Sequence, residues 1–374
     1  PTGGFATAMQ NDDDVRKAAC RAFNIFSAEY FADYSDLMTP VAVIPMHTPD
    51  EAIEEIIYIR ESLELKACLF SGMVPRPVPA AEEGDAKAHR LGSVTYDVFG
   101  IDSPYDYDPV WEACLEYGVS PTFHAGGRGY ALRRSPTNFT YNHIGHFAST
   151  AEAICKAMFL GGVTRRFPEL RMGFLEGGTA WACQLYADLI EHWEKRNRTA
   201  LEYNDPANLD HNLMIDLASE FGPDGMAEMM ADRDSALFAA LNTAASTNDG
   251  GQPELDDYAP CEIEREEDIA DLFVPNFYFG CEADDRLNAT AFNTEVNPMG
   301  SRINALFSSD IGHFDVIHMN RVLPHAWELV DDGVMDLDDF REFTFANPAR
   351  FWTSNNSDFF AGTNVEAQVA ELLK

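Results

Sequence analysis

Three ionisable residues each end a short hydrophobic run and are followed at once by a turn signal. His124 does so in Ser120-Pro-Thr-Phe-His-Ala-Gly-Gly127. Glu176 does so in Leu170-Arg-Met-Gly-Phe-Leu-Glu-Gly-Gly178, and Asp310 in Ala305-Leu-Phe-Ser-Ser-Asp-Ile-Gly-His313. A neutral imidazole suits zinc and similar metals. A carboxylate at a strand end can bind a metal and take a proton from metal-bound water. Glu176 follows Leu170, Met172, Phe174 and Leu175, and burying a carboxylate there is costly unless it is paired, metal-bound or protonated. Strand carboxyl ends of a parallel α/β protein face one mouth, so the three form a shared candidate site around a divalent metal. The plainer readings stay open: a structural histidine at 124, and a salt bridge from Glu176 to Arg128 or Arg171.

Several residues could surround this site. Asn142-His143-Ile-Gly-His146-Phe puts His143 and His146 three apart, on one face of a helix start, as substrate contacts. Arg128, Arg133 and Arg134 follow His124, and an arginine there would suit a substrate carboxylate. His313 and Asp315 come just after Asp310 and either contact substrate or cap the next helix. Glu282, Asp284 and Asp285 follow another strand end as supporting groups or as a helix cap.

The elements that must position these residues alternate. Helical spacing runs from Asp12 to about Tyr34, and Thr48-Pro49 with Glu51 opens a helix to about Leu63. Asp108–Gly118, Asn142–Leu160 and Thr179 to about Arg198 are further helices, with others near 314–330, 336–345, 347–352 and 364–373. Strands are expected near 41, 67, 121, 171, 277 and 305. Such alternation specifies a parallel sheet with helices outside it. Residues 73–105 read as a long loop over the strand ends, and 199–272 as an acidic, mainly helical insertion. Pro1-Thr-Gly-Gly-Phe5 reads as a turn leaving a strand, as though the sequence begins inside a fold.

Composition narrows the function classes. The 374-residue chain carries a formal charge of −36, which repels nucleic-acid phosphates and anionic lipid headgroups. The partner expected is a small molecule, with neither nucleic acid nor membrane; a homo-oligomer is the base-rate expectation. The seven cysteines include no CxxC and read as buried thiols in a reducing cytoplasm. No GxGxxG after a strand, GxxxxGK[ST] or GxSxG occurs, so dinucleotide, P-loop and serine-hydrolase readings lack their signatures.

Taken together, Thr122-Phe-His-Ala-Gly, Phe167-Pro-Glu-Leu-Arg-Met-Gly-Phe-Leu-Glu-Gly-Gly, Leu306-Phe-Ser-Ser-Asp-Ile-Gly-His and Ala346-Asn-Pro-Ala-Arg-Phe resemble the amidohydrolase-related family of metal-dependent TIM barrels. That family includes aminocarboxymuconate-semialdehyde decarboxylase and related non-oxidative decarboxylases. The resemblance implies an α/β fold, a (β/α)8 TIM barrel with strands three to eight visible, forming a single domain over 1–374. It implies that His124 is the metal ligand of the fifth strand and Asp310 that of the eighth. Two departures stand out. Glu176 occupies the place of a sixth-strand histidine, and the His-x-His or Glu-x-His pair of the first strand is not in this sequence.

The resulting expectation is a metal-dependent enzyme that hydrolyses, or decarboxylates without redox change, a small carboxylated, cyclic or aromatic substrate. His124, Asp310 and Glu176 would hold the metal, zinc first and manganese as the alternative. Asp310 and Glu176 would take the catalytic roles. His143, His146, Arg128 and His313 would contact substrate. The rival is a non-catalytic barrel that binds a small molecule.

Overall fold

The structure, a computed structural model, describes residues 2–77, 94–124, 135–202, 208, 210–232 and 256–374. They fall in two compact units, 189–259 and the remainder. The larger unit is built on six parallel strands: β1 (Val41–Ile44), β2 (Ala67–Phe70), β5 (Pro121–Phe123), β6 (Met172–Phe174), β7 (Phe277–Glu282) and β8 (Asn304–Ser308). They pair in chain order, β1-β2-β5-β6-β7-β8. Helices intervene between consecutive strands of this sheet from β1 to β7, as in an α/β barrel. All six strands expected from sequence are present.

These strands form because their residues are buried on both faces. Phe70, Phe123, Phe174 and Phe279 stand opposite one another in register across β2, β5, β6 and β7. Their rings follow at centroid distances of 5.9, 5.4 and 6.0 Å, and all four are buried. Each such ring pair adds about 0.5–1.5 kcal/mol beyond area burial. On β6 the residue before Phe174 is Gly173, opposite Thr122 and Tyr278, and a Cβ there would lie 2.8 Å from the ring of Phe351. Phe351 packs with Tyr278 and Leu306 in one cluster.

The helix Asp13–Phe31 is capped by Asp12, whose side chain accepts from the Val15 amide. Thr48 and Glu51 form a reciprocal capping box at the start of Pro49–Glu61. Glu51 also receives two hydrogen bonds from Arg16 (3.1 and 2.8 Å) with both side chains buried.

Four expectations are corrected. Residues 2–8 are a helix, Thr2–Ala8, not a turn: Gly4 lies where a Cβ would come within 2.7 Å of Val43, so its glycine serves close packing. The 73–105 loop contains two strands that pair antiparallel, β3 (Val74–Pro77) with β4 (Val94–Asp97). The Asn142–Leu160 helix is two helices, Phe139–His143 and His146–Leu160, broken at Gly145 with φ 68°. The helix near 314–330 is shorter, Val322–Asp331, preceded by a 3-10 turn at Met319–Arg321.

The unit 189–259 contains the helices Arg198–Leu201, His211–Phe221 and Met226–Ala231. Helix Glu266–Phe273, placed in the insertion by sequence, belongs to the larger unit. Among the described residues, no helix is long and apolar enough to cross a membrane. All seven cysteines are free of disulfides and six are buried.

Candidate active site

The site is built at the carboxyl ends of β5, β6, β7 and β8. His124 is the first residue past β5, and Glu176 lies two residues past β6. The Leu175 amide donates to the Phe123 carbonyl at 2.9 Å, so the pairing of these strands continues to the site. His124 Nε2 contacts Glu176 Oε2 directly, and both side chains are mostly shielded from solvent. Phe147, near the start of the helix His146–Leu160, lays its ring 4.4 Å from that of His124.

Asp310 lies two residues past β8. Its Oδ2 is 3.0 Å from His313 Nδ1, which is also 3.2 Å from Asp315 Oδ1. The ligand atoms of Asp310, His313 and Asp315 lie within 4.8 Å of one another. Asp310 is held above the ordinary carboxylate range by burial first and then by the charge of Glu176. His313 and His124 act against this shift. Asp310 thus shares one electrostatic environment with both other residues picked out from sequence.

A cavity of about 230 Å³ opens beside the His124–Glu176 pair. Its wall includes His143, Phe147, Glu176, Gly178, Glu282 and Asp285. Gly178 adopts φ 75°, a conformation that favours glycine. Asp285 caps the 3-10 helix Arg286–Phe292 by accepting from the Leu287 amide at 2.9 Å, and it also borders the cavity.

Among the substrate contacts expected, His143 lines the cavity and stacks on Phe139 at 4.9 Å. The two histidines are not on one helix face: His143 ends one helix and His146 begins the next. His146 is buried, with its ring 3.8 Å from Phe147 and 4.8 Å from His143. Arg128, Arg133 and Arg134 lie outside the described residues. Phe147 was not singled out from sequence; its place next to His146 in a helical pattern made it look like ordinary core.

A divalent metal fits the donor chemistry present. Two carboxylates, Glu176 and Asp310, and the imidazole of His124 stand at three strand ends; His124 and Glu176 are in contact, and among the described residues the ligand atoms within 4.8 Å of one another are those of Asp310, His313 and Asp315. Such an oxygen-rich set with one or two imidazoles suits manganese, and zinc accepts the same donors.

Six parallel strands paired in chain order with helices between them, and ionisable residues at their carboxyl ends, are the arrangement of an α/β barrel sheet. Residues 3–226, more than half of the chain, match the amidohydrolase family, and the chain belongs to that family. No protein of curated function matches it. Among solved structures, a dihydroxybenzoic acid decarboxylase from Polaromonas sp. JS666, with bound manganese and the inhibitor 2-nitroresorcinol, is similar. Its TM-score is 0.53 at 16% identity, covering 95% of this chain and 81% of that one. A 2,6-dihydroxybenzoate decarboxylase complexed with 2,6-dihydroxybenzoate gives 0.50 at 15% identity, covering 93% and 81%. At these identities the likeness shows the fold.

Proposed function

We propose that the chain is a divalent-metal-dependent enzyme that removes CO2, without redox change, from a small aromatic or cyclic carboxylate. The observation that carries this reading is the His124–Glu176 pair at the ends of two neighbouring parallel strands, with Glu176 on the wall of a cavity also lined by Phe147 and His143, and Asp310, His313 and Asp315 grouped at the end of another strand of the same sheet. The similar folds that act on, or bind, dihydroxylated rings support the choice of substrate class.

His124, Glu176 and Asp310 would hold the cation. When bound, it would polarise oxygen substituents of the substrate and stabilise negative charge that develops on it. The chain's own residues do the rest. Glu176 fixes the orientation of the His124 ring through Nε2, and Phe147 packs against the same ring. The faces of Phe147 and His143 offer stacking surface to a planar substrate. His313 steadies the Asp310 carboxylate.

The test is to load the purified protein with manganese or zinc and offer 2,6-dihydroxybenzoate and related ring carboxylates. Release of CO2 with no oxygen from labelled water in the product is the expected result. Labelled oxygen in the product would replace decarboxylation with hydrolysis. Turnover of nothing by folded, metal-loaded protein favours a binding protein.

A further inference from the structure

We propose that Trp181 is a positioning residue of this site: its indole, acting through Gly177, holds the turn that aims Glu176 at His124. The inference rests on the role given to Glu176 in the proposed function and deepens it.

The turn needs such a support. Before it, the Leu175 amide donates to the Phe123 carbonyl of β5 at 2.9 Å. After it, the Gly178 amide donates to the Gly280 carbonyl of β7 at 3.3 Å. The hydroxyl of Thr179, a buried residue, then donates to the Leu287 carbonyl at 2.9 Å. Between these anchors, and among the described residues, Glu176 and Gly177 make no backbone–backbone hydrogen bond. Glu176 nevertheless holds φ 63°, a conformation that an L side chain keeps only when its surroundings impose it.

Packing imposes it. A Cβ on Gly177 would lie 2.9 Å from Trp181 Nε1, and 3.4 and 3.5 Å from Cα and N of Ala148. Trp181, the second residue of helix Ala180–Arg196, and the helix His146–Leu160 therefore close the space where a side chain at 177 would stand. The indole is itself fixed. It stands edge-on to Phe279 at 5.1 Å and to Phe174 at 6.0 Å, with interplanar angles of 85° and 88°, and both of those rings are fully buried. Its Nε1–H is buried and, among the described residues, finds no acceptor; the fit of the ring, not a hydrogen bond, keeps it in place. Ala148 follows Phe147, whose ring lies against His124. One run of contacts, Trp181–Gly177–Ala148, thus ties the Glu176 turn to the helix that covers His124. A methyl group at 177 must displace the indole, the helix or the turn. The indole and the helix are held by the core, so the turn yields and carries Glu176 off His124.

The experiment compares wild type, Gly177→Ala, Trp181→Phe and the double variant. It reads the ring signals of His124 by NMR in metal-free protein at one pH, assigned with His124→Gln, with Glu176→Gln as the reference for a lost contact. It also reads manganese affinity. Gly177→Ala should move the His124 signals toward those in Glu176→Gln and weaken manganese binding about 10–100-fold. Trp181→Phe, which leaves the turn without its support, should move the signals the same way. In the double variant the methyl group fills the space that the smaller ring vacates. Its His124 signals should return to their wild-type positions and its manganese affinity to within about threefold. A residue that only stabilises the fold would lower the thermal midpoint of Trp181→Phe and leave the His124 signals where they are. Wild-type signals in folded Gly177→Ala or in Trp181→Phe overturn the proposal. So does a double variant no closer to wild type than Gly177→Ala. If Gly177→Ala does not fold, Trp181→Phe decides. If wild type releases CO2 from no ring carboxylate, the decarboxylase reading fails, and the NMR comparison still decides the role of Trp181.

Discussion

Glu176 and Asp310 leave their strands in the same unusual way: φ is 63° at Glu176 and 48° at Asp310. Both are in the left-handed region, where an L side chain crowds the following carbonyl. Asp tolerates this conformation through local hydrogen bonding, and Glu does so less readily. Two carboxylates of one site are thus aimed by backbone that the rest of the fold must hold in place.

A clean test of that strain compares Glu176→Gly with Glu176→Ala. Both lose the carboxylate and its contact with His124; only Gly relaxes the backbone. Glu176→Gly should be more stable than Glu176→Ala by about 1 kcal/mol, read from thermal midpoints. Equal midpoints would mean that φ 63° costs nothing here.

His313 should act through Asp310. Its Nδ1 lies 3.0 Å from the Asp310 carboxylate. His313→Ala should weaken manganese binding about 10–100-fold without abolishing it, as for partners that orient a ligand. His124→Ala, which removes a proposed ligand, should be the more severe. A reversed order, measured by metal titration, would move the centre to the Asp310–His313–Asp315 group.

Arg16 and Glu51 tie the first long helix to the capping box after β1. Their side chains are 1% and 0% exposed. Removing either partner leaves a buried charge, so Arg16→Ala or Glu51→Ala should cost about 3–5 kcal/mol. The double variant should lose less than the sum. Urea midpoints of the three variants check this, and strict additivity would deny the coupling.

His47 sets a pH dependence of stability. Burial pushes its ring down to about 4, with the charge of Arg16 adding to the effect. The unfolded chain takes up this proton near 6.5 (roughly the free value). Unfolded protein therefore binds more protons than folded protein between these values. The contribution is present above about 6.5 and lost as pH falls toward about 4, on the order of 2 kcal/mol. His47→Gln should flatten the fall in urea midpoint between neutral pH and about pH 4.5; an unchanged slope would assign the fall to other groups.

What the sequence made legible followed from burial and ligand chemistry. Strands β1, β2, β5, β6, β7 and β8 are short apolar runs with turn signals, and a buried parallel sheet requires that pattern. His124, Glu176 and Asp310 stood out because each ends such a run. The β3–β4 pair did not, because Pro75 and Pro77 read as loop, whereas a two-stranded ribbon has free edges that tolerate proline. Gly145 sat inside a helical pattern and was passed over, although its left-handed backbone turns His143 toward the cavity wall and His146 into the core. The role of His47 was invisible because it depends on Arg16, Glu51 and Arg76, brought together only by the fold. The pairing of His124 with Glu176 spans 52 residues, and no local spacing records it.

The most direct measurement is manganese bound per chain, by titration followed by elemental analysis, in wild type and in the His124→Ala/Asp310→Ala double variant. About one equivalent is expected in wild type and almost none in a folded double variant. Equal binding by the two, or none by folded wild type, would contradict a metal centre at the ends of β5, β6 and β8.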